Sequence, residues 1–172
     1  METFEKVGEV DAPGLYTWDP RQRRHSIGGL RSIAFSPDST LLAVGGIGQI
    51  GNIDHLGAKA RTEVFRWKSG ETVHQIEDGK FNGLVEQIRF TPDGGAFVTI
   101  GGDHGGFLTV YETESGKSGF SEKMPMHIHD VSISEDFTRL YAVGHEKVAV
   151  FELQAEEPVK ESAEADQSGT PS

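Results

Sequence analysis

Three histidines, His55, His104 and His145, each stand beside a carboxylate: Asp54, Asp103 and Glu146. Each follows an apolar run that ends in glycine, so the three occupy equivalent loops of a repeated unit. His25, His127 and His129 fall in or beside neighbouring loops. Neutral imidazole and carboxylate are good ligands for divalent transition metals, which makes His55, His104 and His145 metal candidates. A simpler reading needs no ion, because Asp, His and Gly tolerate the backbone angles of tight turns. Loop tips on adjacent sheets need not approach within ligand distance. The expectation is therefore that no metal and no cofactor is bound.

A second group of residues points to a partner. Tyr16 and Trp18 lie close to Arg21, Arg23 and Arg24. Aromatics and arginine dominate the residues that carry binding energy at protein interfaces. An acidic peptide or protein would suit this set. Alternatively, Tyr16 and Trp18 fold back as a local core. The same residue types could stack nucleic-acid bases, but 27 acidic against 16 basic residues leave a net charge of −11. That balance opposes a phosphate backbone, and no nucleic-acid partner is expected.

Catalytic patterns are not found. Ser132 and Ser134 near His129 and Asp130 sit on a strand rather than a nucleophile elbow. The run Gly45-Gly46-Ile47-Gly48-Gln49-Ile50-Gly51 follows a strand, yet no helical pattern follows it to receive a phosphate. Its Ile47 and Ile50, with Ile53 and Leu56, are expected to tuck against the sheet. The chain is read as no enzyme. It has no cysteine, which removes disulfides and thiolate chemistry. No apolar run approaches the ~18 residues of a membrane helix, and Met1–Lys6 has no secretory h-region. A cytoplasmic protein without a membrane partner is expected.

The elements that would hold these residues are strands. Ile88-Arg89-Phe90-Thr91-Pro92-Asp93-Gly94-Gly95-Ala96-Phe97-Val98-Thr99-Ile100-Gly101-Gly102 reads as a strand, a type I turn and a second strand. The hairpin recurs at Ile33-Ala34-Phe35-Ser36-Pro37-Asp38 with Leu41–Gly46, and at Val131-Ser132-Ile133-Ser134-Glu135-Asp136 with Leu140–Gly144. A further strand follows each copy, bearing an aromatic at Phe65, Tyr111 or Phe151. Segments at Glu2–Val7, Glu71–Ile76 and Lys117–Phe120 precede the hairpins as outer strands. With 22 glycines and 35% hydrophobic residues, the composition suits such a turn-rich β protein.

This pattern resembles the WD40 repeat family of β-propellers over about residues 2–153. The carrying motifs are Phe-Ser-Pro-Asp at 35–38, Phe-Thr-Pro-Asp-Gly at 90–94, and aromatic-to-glycine strands ending at Gly70 and Gly116. The family's Trp-Asp dipeptide is replaced by Phe65-Arg66, Tyr111-Glu112 and Phe151-Glu152, and its Gly-His is missing from the first two units. The one literal Trp-Asp, Trp18-Asp19, lies in an insertion from Gly8 to Gly29. A competing alignment makes Leu15–Trp18 a strand paired with Gln22–Ile27, although Gln22-Arg23-Arg24-His25 is a poor strand. The resemblance implies an all-β fold of three four-stranded antiparallel blades, about 2–67, 71–113 and 117–153. It also implies that both long insertions, Gly8–Gly29 and Gly45–Arg61, open on one face.

Propellers close with roughly four to eight blades, because each blade is covered by two neighbours. Three would leave apolar sheet faces bare. Further blades are expected from a longer chain, or from a second copy that completes a six-bladed ring. Gln154–Ser172 is rich in Glu, Ala, Ser and Pro and is expected to be a disordered acidic tail. The functional expectation is a non-catalytic protein–protein interaction scaffold. The alternative is a metal- or small-ligand-binding propeller, possibly enzymatic, using the histidine-bearing loops.

Overall fold

A computed structural model describes residues 5–19, 25–51 and 57–153, with the side chains of Asp19 and His25–Ile27 excepted. All regular structure among them is β apart from one 3-10 turn, Pro13–Leu15. No helix among them is long and apolar enough to cross a membrane.

The first sheet holds β3 (Leu30–Phe35), β4 (Leu41–Ile47), β5 (Lys59–Arg66) and β6 (Glu71–Asn82), in that order and antiparallel throughout. The second repeats it with β7 (Leu84–Phe90), β8 (Ala96–Gly102), β9 (Gly106–Glu112) and β10 (Ser118–Met124). The third has three strands: β11 (Ile128–Ile133), β12 (Arg139–Gly144) and β13 (Lys147–Glu152). The segments at 71 and 117 thus close the sheet before them in sequence. Sequence unit and sheet are offset by one strand.

The side-chain alternation of strands explains how the sheets stack. Along β8, Phe97 faces the first sheet and joins its Ala43 and Val64 in one cluster with Ile88 and Tyr111 of its own sheet. Its neighbours Val98 and Ile100 face the third, in a cluster with Val131 and Leu140. The second sheet is therefore covered on both sides, and β8 is buried from Phe97 to Gly102. Beyond the first sheet, Leu42, Val44 and Phe65 pack under Leu15, Val10 and Trp67.

Two expectations change here. The segment Gly8–Gly29 is more than an irregular insertion, because β1 (Tyr16–Asp19) pairs antiparallel with β2 (His25–Gly28). The competing alignment holds in part, with the partner strand starting at His25. Glu5–Val7, the described end of the expected outer strand Glu2–Val7, has no strand partner, and Val7 is exposed. The outer edge of the first sheet is already taken by β6. The expected tail, 154–172, lies outside the described residues.

The three hairpin turns are built identically. In each, the first residue's carbonyl accepts from the N–H three residues on: Ser36 from Ser39 at 2.8 Å, Thr91 from Gly94 at 2.9 Å, and Ser134 from Phe137 at 2.9 Å. The fourth residue takes a positive φ in all three. The hydroxyls of Ser36, Thr91 and Ser134 donate to Asp38, Asp93 and Asp136 at 2.5, 2.6 and 2.6 Å. They also accept from the N–H that opens the next strand.

Hydroxyl and backbone donors hold all three carboxyls below their ordinary range, with the hydroxyl of the first turn residue foremost; Asp136 falls to about 2. A depressed folded-state value stabilises above the unfolded value near 4 and loses that contribution as pH falls through the folded value. The expected result is that acid unfolding steepens between about pH 4 and pH 2. In the D38N/D93N/D136N variant the slope across that window should flatten, read by circular dichroism. Superimposable acid-unfolding curves would show that the turns do not contribute.

Candidate functional site

One end of the three sheets is shaped by a shared irregularity. In the first strand of each sheet the register skips a residue: between Leu30 and Ser32, between Val85 and Gln87, and between Ile128 and Asp130. The skipped residues are Arg31, Glu86 and His129. Each is the extra residue of a β-bulge, a device that bends a strand and re-aims a side chain. Opposite each bulge the second strand carries glycine: Gly46, Gly101 and Gly144. A Cβ at these glycines would run into the backbone carbonyls of Gly29, Leu84 and His127 respectively. The glycines that end the apolar runs are therefore required for close approach.

A pocket of about 130 Å³ opens among these bulges, lined by Arg31, Ile47, Ile50, Leu84, Asp103 and His127. At its edge stands a cluster of imidazoles. The rings of His127 and His129 are 4.7 Å apart between centroids, His127 and His145 5.2 Å, and His129 and His145 4.8 Å. His127 Nδ1 lies 3.1 Å from the Asp103 carbonyl oxygen, and its Nε2 lies 3.3 Å from Glu86 Oε1. The His127 and Glu86 side chains are only 11% and 18% exposed. Ligand atoms of Glu86, His127 and His129 all fall within 4.8 Å of one another.

The metal candidates do not gather as a set. His145 joins His127 and His129, its neighbours on the same sheet. His104 is exposed on the β8–β9 turn, and His55 lies outside the described residues. Equivalent turns belong to different sheets, whereas His127, His129 and His145 flank one pair of adjacent strands. Ser134 donates its hydroxyl to Asp136 in the turn and is engaged there.

Tyr16 and Trp18 stand on β1, whose partner strand ends at Gly28 in the lining of the same pocket. Along β1 the side chains alternate. Leu15, just before the strand, is fully buried, and Thr17 Oγ1 accepts the Ile50 N–H at 3.0 Å. Tyr16 and Trp18 point away and are 48% and 53% exposed. They do not form a local core. Arg21, Arg23 and Arg24 lie outside the described residues. Ile47 and Ile50 are buried as expected, and Ile53 and Leu56 lie outside the described residues.

No family model and no curated protein matches the sequence. Solved structures do match. A crystal structure of the eukaryotic initiation factor aligns with a TM-score of 0.51 and 14% identity, over 73% of this chain and 30% of that one. The chain thus spans under a third of that neighbour. At this identity the likeness is one of fold alone.

Glu86, His127 and His129 were not singled out together from sequence, although a signal was present. Aligning the three hairpins on Ile33, Ile88 and Val131 puts Arg31, Glu86 and His129 at the same place, two residues upstream.

Proposed function

We propose that the chain is a non-catalytic interaction module of WD40 type, its sheets serving as propeller blades and its β1–β2 ribbon presenting Tyr16 and Trp18 to a protein or peptide. The observation that carries this is the exposure of both aromatics on a ribbon whose root is fixed in the core by Leu15. Two rigid aromatic faces held clear of the sheet are what an interface anchor requires. The arginines at 21, 23 and 24 follow directly in sequence, which favours an acidic partner.

The outermost sheets support the need for further blades. On the third sheet Val148 and Val150 are 75% and 57% exposed, with Tyr141 and Val143 beside them. On the first sheet Ile33 and Phe35 are exposed. Bare apolar sheet faces of this kind are covered in propellers by the next blade, supplied here by a longer chain or by a second copy. Sedimentation at micromolar concentration decides between them: a dimer fits the six-bladed ring, and a sharp monomer leaves the longer chain.

The binding role is tested with the Y16A/W18A double variant in affinity capture from cell extract. Each lost anchor should weaken binding by about tenfold or more. A specifically captured protein should disappear while the melting temperature stays unchanged. Undiminished capture by the variant would overturn the assignment of the ribbon as the binding element.

A further inference from the structure

We propose that Glu86, His127 and His129 form a binding site for a zinc-class divalent transition metal, with His145 at its margin. Two imidazoles and a carboxylate are the ligand set of zinc and its neighbours, and they disfavour the all-oxygen preference of magnesium and calcium.

The tautomer of His127 carries the argument furthest. A backbone carbonyl can only accept, so the 3.1 Å contact with Asp103 requires Nδ1 to carry the hydrogen. In the neutral ring, Nε2 then presents a lone pair, and it presents it to a carboxylate oxygen 3.3 Å away. Two acceptors face each other in a largely buried setting. A divalent metal ion ligated by both atoms would satisfy the two acceptors together. An Nδ1–H held by a carbonyl while Nε2 ligates is the usual outer-shell arrangement of a metal-binding histidine.

The spacing suits an ion. Ligands at about 2.0–2.1 Å from a tetrahedral zinc are separated by about 3.3–3.4 Å, and Glu86 Oε1 and His127 Nε2 already are. A ring nitrogen of His129 lies within 4.8 Å of both. The two bulges that aim Glu86 and His129 are backbone features fixed by Gly101 and Gly144, so these two ligands are held by strands, while His127 immediately precedes β11. Three protein ligands leave a fourth position, within reach of the exposed His145 or open to the pocket.

The test uses the full chain stripped with chelator and titrated with Zn(II), followed by melting temperature and by the imidazole NMR signals of His127 and His129. Co(II) serves as a coloured probe of the same site. Zinc should bind at one equivalent, raise the melting temperature and shift both imidazoles. E86Q and H129A should each weaken binding by about tenfold or more, and H145A by less. The melting temperature of each metal-free variant shows whether it is folded. H129A is the key variant, since its ring is exposed and its loss should leave the fold intact. Wild-type protein that takes up no zinc would overturn the proposal. Zinc binding unchanged in H129A and E86Q would place the ion elsewhere and overturn it equally. Y16A/W18A should bind zinc normally, which separates this site from the partner-binding reading.

Discussion

Asp78→Ala is expected to destabilise the protein by about 3–5 kcal/mol, read as a fall in the midpoint of urea unfolding without a change in slope. Asp78 is buried within β6, the outermost strand of the first sheet. Its carboxylate takes four hydrogen bonds. Oδ1 accepts the backbone N–H groups of Lys80 and Phe81, both at 2.8 Å, which tightens the end of β6 into a local turn. Oδ2 accepts the hydroxyls of Thr109 at 2.8 Å and Tyr111 at 2.9 Å, both on β9 of the second sheet. One side chain therefore joins two sheets. Burial and the neighbouring Asp78 charge push the Tyr111 phenol well above its ordinary value, so it stays a donor at every accessible pH.

Removing the carboxylate strands three donors at once, the buried Tyr111 hydroxyl among them, and leaves the Thr109 hydroxyl its 3.1 Å contact with Ser121 Oγ. Each unsatisfied buried group costs about 1–3 kcal/mol, less where water reaches it. Asp78→Asn separates shape from charge. Its oxygen can serve the two backbone donors, and both hydroxyls can rotate to accept from the amide, so a smaller loss of about 1–2 kcal/mol is expected. Tyr111→Phe removes a single donor and should cost about 1 kcal/mol. An Asp78→Ala variant within about 0.5 kcal/mol of wild type would mean that the sheets are held by apolar packing alone.

Hairpins are legible in the sequence because they are local objects. The signals for Ser36–Leu41, Thr91–Ala96 and Ser134–Arg139 sit within six residues: a hydroxyl, an aspartate two positions on, and apolar alternation at either side. The alternation also marks which residues turn inward, and Phe97, Ile88 and Leu140 are fully or almost fully buried. Long-range features are not written locally. Nothing near Asp78 announces that its partners stand 31 and 33 residues away. The β1–β2 ribbon is hard to read because each strand spans only four residues, too few for alternation to show.

The histidine site shows a third case, in which the residues are conspicuous and their grouping is not. His55, His104 and His145 share a loop position, but a shared position in a repeat places side chains on successive sheets. His127, His129 and His145 come together because adjacent antiparallel strands return to the same end. Glu86 reaches them from the neighbouring sheet only through its bulge. A bulge shifts the apolar alternation by one place, from Val85 to Ile88 and from Ile128 to Val131, and in strands of six or seven residues that single slip is a faint signal.

Gly101→Ala is expected to be nearly as damaging as the loss of Asp78, for a steric reason. Gly101 is the penultimate residue of β8, lies opposite the bulge of β7 and is buried. Its φ lies outside the left-handed region, so a side chain is excluded by space rather than by backbone preference. A Cβ there would overlap the Leu84 carbonyl oxygen and press on the Leu84 carbonyl carbon and the Glu86 N–H, all backbone atoms that no rotamer change can clear. Relief requires β7 to move away from β8, opening the pairing that sets Glu86. Overpacking of this kind costs about 1–3 kcal/mol and more where backbone must shift, so about 3 kcal/mol is expected. Gly119→Ala is the matched control. It also lies in a strand and has no atom within 4 Å of a Cβ. It should be neutral or gain up to about 1 kcal/mol by restricting the unfolded chain. If both substitutions prove equally mild, the tight approach of β7 to β8 is not what the glycine is for. The bulge would then have to be maintained by Glu86 and its contact with His127.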